Sequence, residues 1–318
     1  MDRFVAFPTH HADLVHDLKY NFYGNRVATC SSDQEIKVWN EGENGEWSAT
    51  NLPKAHHASV WKVDWAHPEF GQVLCSCSFD RHVNVYEEKQ DAKGDARWVK
   101  VVTLTESRDS VYDVKFAPRH LGLQIAACSA DGFIRIYEAM DVMNLASWSL
   151  SHEFEVFKAA GLKNKTVPSF DWSRNPYEPP TIVVAAAGEK AVKIWEFNES
   201  FRKWHAVSTF EGNEDSINCV AWAPNMGRTF EQFATAGKDG TVRIWKIRRD
   251  DGDRPKWVLA DNNGVQAFSD HKGPVWRVQW NHTGTILASS GSDGTVRLWK
   301  SNFYGKWACL SVISGREA

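Results

Sequence analysis

The chain has 318 residues, 37 Lys+Arg against 40 Asp+Glu, a formal net charge of −3 and 42% hydrophobic residues. That length suits two ordinary domains or one large all-β domain, and the charge balance, with a pI near 6.5, argues against a dedicated nucleic-acid binder, which would carry a basic stripe. The longest apolar run, residues 182–187, is far too short for a membrane helix, and the segment Met1-Asp-Arg-Phe-Val-Ala-Phe-Pro8 has no apolar h-region, so no secretory leader is expected.

Taken in chain order, the same four-part unit recurs. A strand ends at Tyr20, the small-residue strand in Arg26-Val-Ala-Thr-Cys-Ser-Ser-Asp33 follows, and Asp33-Gln-Glu-Ile-Lys-Val-Trp39 leads to a further strand carrying Trp47. The second copy has Trp65, Asp80-Arg-His-Val-Asn-Val-Tyr86 and Trp98. The third has Phe116, Ala126-Ala-Cys-Ser129, Asp131-Gly-Phe-Ile-Arg-Ile-Tyr137 and Trp148. The fourth has Trp172, Glu189-Lys-Ala-Val-Lys-Ile-Trp195 and Trp204, with Glu where the others have Asp. The fifth has Trp222, Asp239-Gly-Thr-Val-Arg-Ile-Trp245 and Trp257; the sixth has Trp280, Leu287-Ala-Ser-Ser290, Asp293-Gly-Thr-Val-Arg-Leu-Trp299 and Trp307. The terminal aromatics at 39, 86, 137, 195, 245 and 299 are on average about 52 residues apart. This repetition accounts for fourteen of the sixteen tryptophans; Trp61 and Trp276 each sit four residues before an upstream aromatic.

Four short strands repeated six times read as radially arranged four-stranded blades in one all-β domain over residues 1–318. The Asp-Gly pair suits a two-residue hairpin turn with positive φ, and the large ring fills the space between blades. In Val111-Tyr-Asp-Val-Lys-Phe116, alternation places Tyr112, Val114 and Phe116 on one face. The sixth blade is complete, because Gly305-Lys-Trp-Ala-Cys-Leu-Ser-Val-Ile313 supplies its fourth strand. The N-terminal strand Arg3-Phe4-Val5-Ala6-Phe7 is left over, which predicts six full blades and an open ring with an unpaired edge. Such an edge invites a partner to add strands in trans.

These motifs resemble those of WD-repeat β-propellers over nearly the whole chain. Within that superfamily the sequence is most similar to the Seh-one nucleoporins of the Sec-thirteen-like family. The stretches that carry this are Arg26–Asp33, Cys128-Ser-Ala-Asp-Gly-Phe-Ile-Arg-Ile-Tyr-Glu-Ala139 running into Asp141-Val-Met-Asn-Leu145, and Trp148-Ser-Leu-Ser-His-Glu153. The resemblance implies structural repeat residues Asp33, Trp39, Asp80, Tyr86, Asp131, Tyr137, Trp195, Asp239, Trp245, Asp293 and Trp299, with His57 and His271 as the loop histidines of the family's structural tetrad. Blades three to five have no clear loop His, so they are expected to be less tightly pinned.

No catalytic constellation stands out. The acidic turn residues repeat at fixed spacing, so each is expected to satisfy its own turn rather than act as an acid or a metal ligand. Phosphate loops, nucleophile elbows and helical His pairs are not found. Cys75-Ser-Cys77 puts both thiols on one face of a strand without the spacing of a zinc site, and the six cysteines are expected to be reduced thiols inside the cell. Lys246-Ile-Arg-Arg249 is compensated by Asp250, Asp251 and Asp253, and the three lysines between Lys158 and Lys165 read as a solvated loop. Trp61, Tyr112 and Trp276, near the starts of three upstream strands, read either as an aromatic mouth for a peptide or as packing between blades, with packing favoured.

The expected function is therefore a non-enzymatic scaffold without cofactor or metal. The resemblance implies a nucleoporin of the Y-shaped nuclear pore coat subcomplex, bound to an α-helical nucleoporin of the Nup-eighty-five type that donates a seventh blade. It also implies membership of the SEA/GATOR complex at the vacuole or lysosome surface, in TOR-pathway signalling. Direct nucleic-acid binding and membrane insertion are not expected. The alternatives are a Sec-thirteen-type vesicle-coat component and a WD propeller that reads peptides or modified tails.

Overall fold

β-branched and aromatic residues on either side of short polar turns favour strands over helices, and the regular elements of the described residues are all strands apart from two three-residue 3₁₀ turns. The computed structural model describes all residues except 1–7, 43–44, 53–54, 91–95, 158–167, 186–187, 189, 251, 253–254, 261–263 and 315–318. The protein is an all-β, six-bladed β-propeller, and its blades fall into two compact units, Met1–Glu153 and Phe154–Ala318. The strand expected over Arg3–Phe7, Glu189 of the fourth copy and the Lys158–Lys165 loop lie outside the described residues.

In the first unit, blade 1 is β1 (Val15–Tyr20), β2 (Arg26–Ser31), β3 (Ile36–Glu41) and β4 (Trp47–Asn51). Blade 2 is β5 (Val60–Trp65), β6 (Val73–Ser78), β7 (Val83–Gln90) and β8 (Ala96–Leu104). Blade 3 is β9 (Val111–Phe116), β10 (Gln124–Ser129), β11 (Phe133–Ala139) and β12 (Trp148–Glu155), the unit boundary falling near the end of β12. In the second unit, blade 4 is β13 (Ser169–Trp172), β14 (Thr181–Ala185), β15 (Val192–Asn198) and β16 (Lys203–Phe210). Blade 5 is β17 (Ile217–Trp222), β18 (Glu231–Gly237), β19 (Val242–Asp250), β20 (Lys256–Leu259) and β21 (Val265–Phe268), the last two both pairing with β19. Blade 6 is β22 (Val275–Trp280), β23 (Ile286–Gly291), β24 (Thr295–Ser301) and β25 (Trp307–Ser314). The strands within each blade are antiparallel neighbours in sequence order. Every first strand ends at its expected aromatic, and β25 completes blade 6 as the sequence implies.

Two local expectations are corrected. The acidic turn is a hydrogen-bonded four-residue turn whose last residue is left-handed, not a two-residue loop: Gly132, Gly240 and Gly294 donate to the carbonyls of Ser129, Gly237 and Gly291, with φ of 92°, 80° and 73°. This is the longer hairpin connection that ends in a bulge. Gln34 and Arg81 hold the same position with φ of 72°, a conformation that costs a residue with a Cβ. Gln34→Gly and Arg81→Gly are therefore expected to stabilise by about 0.5–1 kcal/mol each, measured as a shift in urea midpoint.

The second correction concerns the first strands. The pairing register skips one residue at His16, Trp61, Tyr112, Asn218 and Trp276. A bulge there re-aims the side chain, so Val111 and Val114 are buried together, while Tyr112 leaves the face that strict alternation assigns it.

In blade 2 it is His56, not His57, that enters the pocket: its ring nitrogens bond Asp80 (2.9 Å) and the Ser76 hydroxyl (2.8 Å), while His57 contributes only its backbone N–H to Asp80 (3.0 Å). Blade 1 has the same device in His11, which bonds Asp33 (2.7 Å) and Thr29 (3.0 Å), with the Trp39 indole donating to Thr29 (3.0 Å). Blade 6 repeats it with His271, Asp293, Ser289 and Trp299. Each described turn Asp also accepts the N–H two residues on, at Glu35, His82, Phe133, Thr241 and Thr295.

Blades 3 and 5 are not left unpinned, because a buried arginine takes the histidine's place. Arg135 pairs with Asp131 (2.8 Å) and Glu153 (2.7 Å) and donates to Ser129 (2.9 Å); Arg243 pairs with Asp239 (3.1 Å) and donates to Asn213 (3.3 Å). Tyr137, Trp245 and Trp299 are buried beside these networks, whereas Trp195 of blade 4 is half-buried.

These pockets make the fold acid-sensitive. Burial lowers the His56 and His271 values below the ordinary range, and their aspartates only partly restore them. Burial raises the Asp80 and Asp293 carboxyls, but hydrogen bonds from histidine and backbone N–H groups outweigh it and hold both well below the usual range. The unfolded chain takes up protons on His near pH 6.5 and on Asp near pH 3.9, in each case before the folded chain does. Stability is therefore expected to be flat above about pH 7, to fall as pH drops below about 6.5, and to fall more steeply below about 4. Urea midpoints measured from pH 8 to about pH 2.5 check this.

Candidate functional site

Packing between blades follows one rule within each unit. Numbering the six residues of a first strand from its start, positions 1 and 4 bury against the second and third strands of the preceding blade. Val60 and Val63 join Ala28, Cys30, Ile36 and Val38; Val111 and Val114 join Cys75, Cys77, Val83 and Val85. In the second unit, Ile217 and Val220 join Val183, Ala185, Val192 and Ile194, and Val275 and Val278 join Ala234, Ala236, Val242 and Ile244.

Blade 1 breaks the rule. Leu18, at position 4 of β1, is 51% exposed, whereas its counterparts Val63, Val114, Val220 and Val278 are at most 3% exposed. Val15 and Tyr20 of the same strand are exposed too, as are Leu14, Phe22 and Tyr23 beside it. Exposed apolar residues gathered on and beside one strand make this the candidate interaction surface. In the second unit, blade 6 has a related departure on its opposite face: Ala288, Ser290, Val296 and Leu298 are only half-buried, while Ala234, Ala236, Val242 and Ile244 of blade 5 are buried. On β25 of that blade Leu310 and Val312 are exposed.

The aromatic residues singled out in the sequence separate. Trp61 stacks on Phe79 (4.9 Å between ring centroids), meets Tyr112 edge-on (5.9 Å) and lies 4.3 Å from the His16 ring; Phe79 and Tyr112 are 5.1 Å apart. These half-buried rings pack on one another. Trp276 belongs to the second unit and is exposed. A cavity of about 130 Å³ lies in the second unit beside Arg228, Phe230, Lys246 and Trp307. Arg228 there is held by the Pro224 carbonyl and Gln232 of blade 5 and by the Gly284 carbonyl of blade 6, and the Lys246 ammonium sits 4.1 Å from the Phe230 ring centre, so these cationic groups serve the packing of the two blades. Among the described residues no group of three or more His, Cys, Asp or Glu is placed to hold a metal ion.

Sequence reasoning did not single out His11, His56, Arg135, Arg243, Leu18 or Tyr20 in these roles. For the histidines a signal was present: His11, His56 and His271 each stand four residues before the first residue of a first strand, and His57 stands three before it. Leu18 carried no such signal, being as apolar as its buried counterparts.

The WD domain, G-beta repeat family matches residues 3–40, 48–87, 98–138, 204–246 and 263–300, passing over the fourth copy with its Glu189. Nucleoporin SEH1 of Xenopus tropicalis is 46% identical over 316 residues, covering 96% of this chain and 86% of that protein. The Danio rerio and Homo sapiens proteins of the same name are 46% and 45% identical, over 96% of this chain and 85% and 86% of their own lengths. The chain belongs to the SEH1 family of WD-repeat nucleoporins. For a member of the SEH1 family, a sheet face whose counterparts are all covered is the feature to explain.

Proposed function

We propose that this protein is a non-enzymatic scaffold of the nuclear pore, acting as a single propeller domain over residues 1–318. It holds an α-helical nucleoporin of the Nup-eighty-five type in the Y-shaped coat subcomplex. That partner adds strands against the β1 face and supplies the packing that the first strands of blades 2, 3, 5 and 6 receive from the blade before them in their unit. The observation that carries this is Leu18, half-exposed at a position otherwise buried in every blade with a predecessor in its unit. Membership of the SEA/GATOR complex, at the vacuole or lysosome surface, is the second assembly the family resemblance supports, and it uses the same face.

The experiment is affinity purification of the tagged full chain from its native source with mass spectrometry, alongside a Leu18→Asp form. Co-purification of a helical pore scaffold with the native chain, and its loss with Leu18→Asp, is the expected result. Equal recovery with both forms overturns the reading.

A further inference from the structure

The junctions within each unit carry a second rule, made of hydrogen bonds. In a first strand the N–H of the residue after position 6 joins the second strand, as for Asn21 to Arg26 (3.0 Å) and Ala117 to Gln124 (2.9 Å). Antiparallel alternation then turns the N–H of position 6 away from its own sheet. At two junctions that N–H donates to the carboxylate directly before the terminal aromatic of the preceding blade's first strand, which is position 5 of a six-residue strand: Phe116 to Asp64 (2.9 Å) and Trp222 to Asp171 (2.8 Å).

At the other two junctions position 5 of the preceding blade is Lys19 or Ala221, and there the donor is an indole and the acceptor a backbone carbonyl. The indole N–H of Trp65 donates to the Lys19 carbonyl (2.9 Å), and that of Trp280 to the Ala221 carbonyl (3.1 Å). The choice follows the aromatic at position 6. Phe116 has no ring donor, and the Trp222 indole is already held by Glu231 (3.0 Å), so these two junctions use the carboxylate.

Tyr20 is position 6 of blade 1. It has no indole, so it belongs with Phe116, and among the described residues no side chain accepts its N–H.

We propose that the strand covering β1 presents an Asp or Glu side chain to the Tyr20 N–H, at the place Asp64 holds against Phe116. The partner segment is thus a β-strand with an acidic residue immediately before its last apolar or aromatic residue. This rests on the docking reading above and adds the recognition chemistry to it.

The test uses the full chain and the helical scaffold partner proposed above, with each acidic residue of the partner's docked strand changed in turn to its amide. One such change is expected to weaken binding by about tenfold or more, as loss of a bond to a charged acceptor does, and to speed hydrogen exchange at the Tyr20 amide in the complex. Tyr20→Trp, which brings the indole used at the other junctions, is expected to make binding insensitive to that change within about twofold. If Leu18→Asp breaks the complex but no acid-to-amide change weakens it more than about twofold, the carboxylate is wrong and the docking face stands. If Leu18→Asp binds as tightly as the native chain, the docking reading falls and this inference falls with it.

Discussion

Trp299→Ala is expected to lower the unfolding free energy by about 3–5 kcal/mol, the usual cost of emptying a core aromatic site. Trp299 is fully buried among Val275, Val278, Leu287 and Trp307, with the Phe268 ring 4.7 Å away. Its indole donates to the Ser289 hydroxyl (2.8 Å), which in turn meets His271 (2.8 Å), so truncation both opens a void and strips a donor from a buried chain. Asp293→Ala should cost less, about 1–3 kcal/mol, by unpairing His271 and the N–H groups of Lys272 and Thr295. Equilibrium urea unfolding of both variants checks the order. If the aspartate change costs more, the turn network rather than the ring holds the blade.

Leu18→Asp is expected to weaken partner docking by at least about a hundredfold while leaving the free chain as stable as before. Leu18 is half-exposed in the free chain, so a charge there keeps its water and should shift stability by no more than about 0.5 kcal/mol. Once a blade covers β1, the same carboxylate is buried without a partner, a cost of about 3–5 kcal/mol, which is roughly a hundred- to a few thousandfold in affinity. Tyr177→Asp, at an exposed loop position of blade 4, is the matched control and should leave docking unchanged. Calorimetric titration of both variants, with thermal unfolding of the free chains, separates loss of docking from loss of fold. A Leu18→Asp chain that unfolds at lower temperature would mean the face is not free.

Where the strands lie was legible in the residues themselves. Six copies of an acidic turn, a β-branched run and a terminal ring set strand ends from Tyr20 to Trp307, because turn chemistry and period-2 patterning are local and act within about ten residues. The roles of Asp33, Asp80, Asp131, Asp239 and Asp293 followed for the same reason: each satisfies N–H groups of its own turn. Three things were settled only by tertiary packing. The bulge at Trp61 and its counterparts turns on how two strands share hydrogen bonds, so alternation along one strand misplaces Tyr112. The choice of His56 over its neighbour His57, and the use of Arg135 and Arg243 in the histidine's place, depend on which side chain reaches an aspartate more than twenty residues away or across the same blade. The exposed face of β1 depends on whether another blade precedes it. Leu18 and Val63 are equally apolar and hold the same place in their repeats; one is covered by its neighbour and the other is not, and only the assembled sheets decide which.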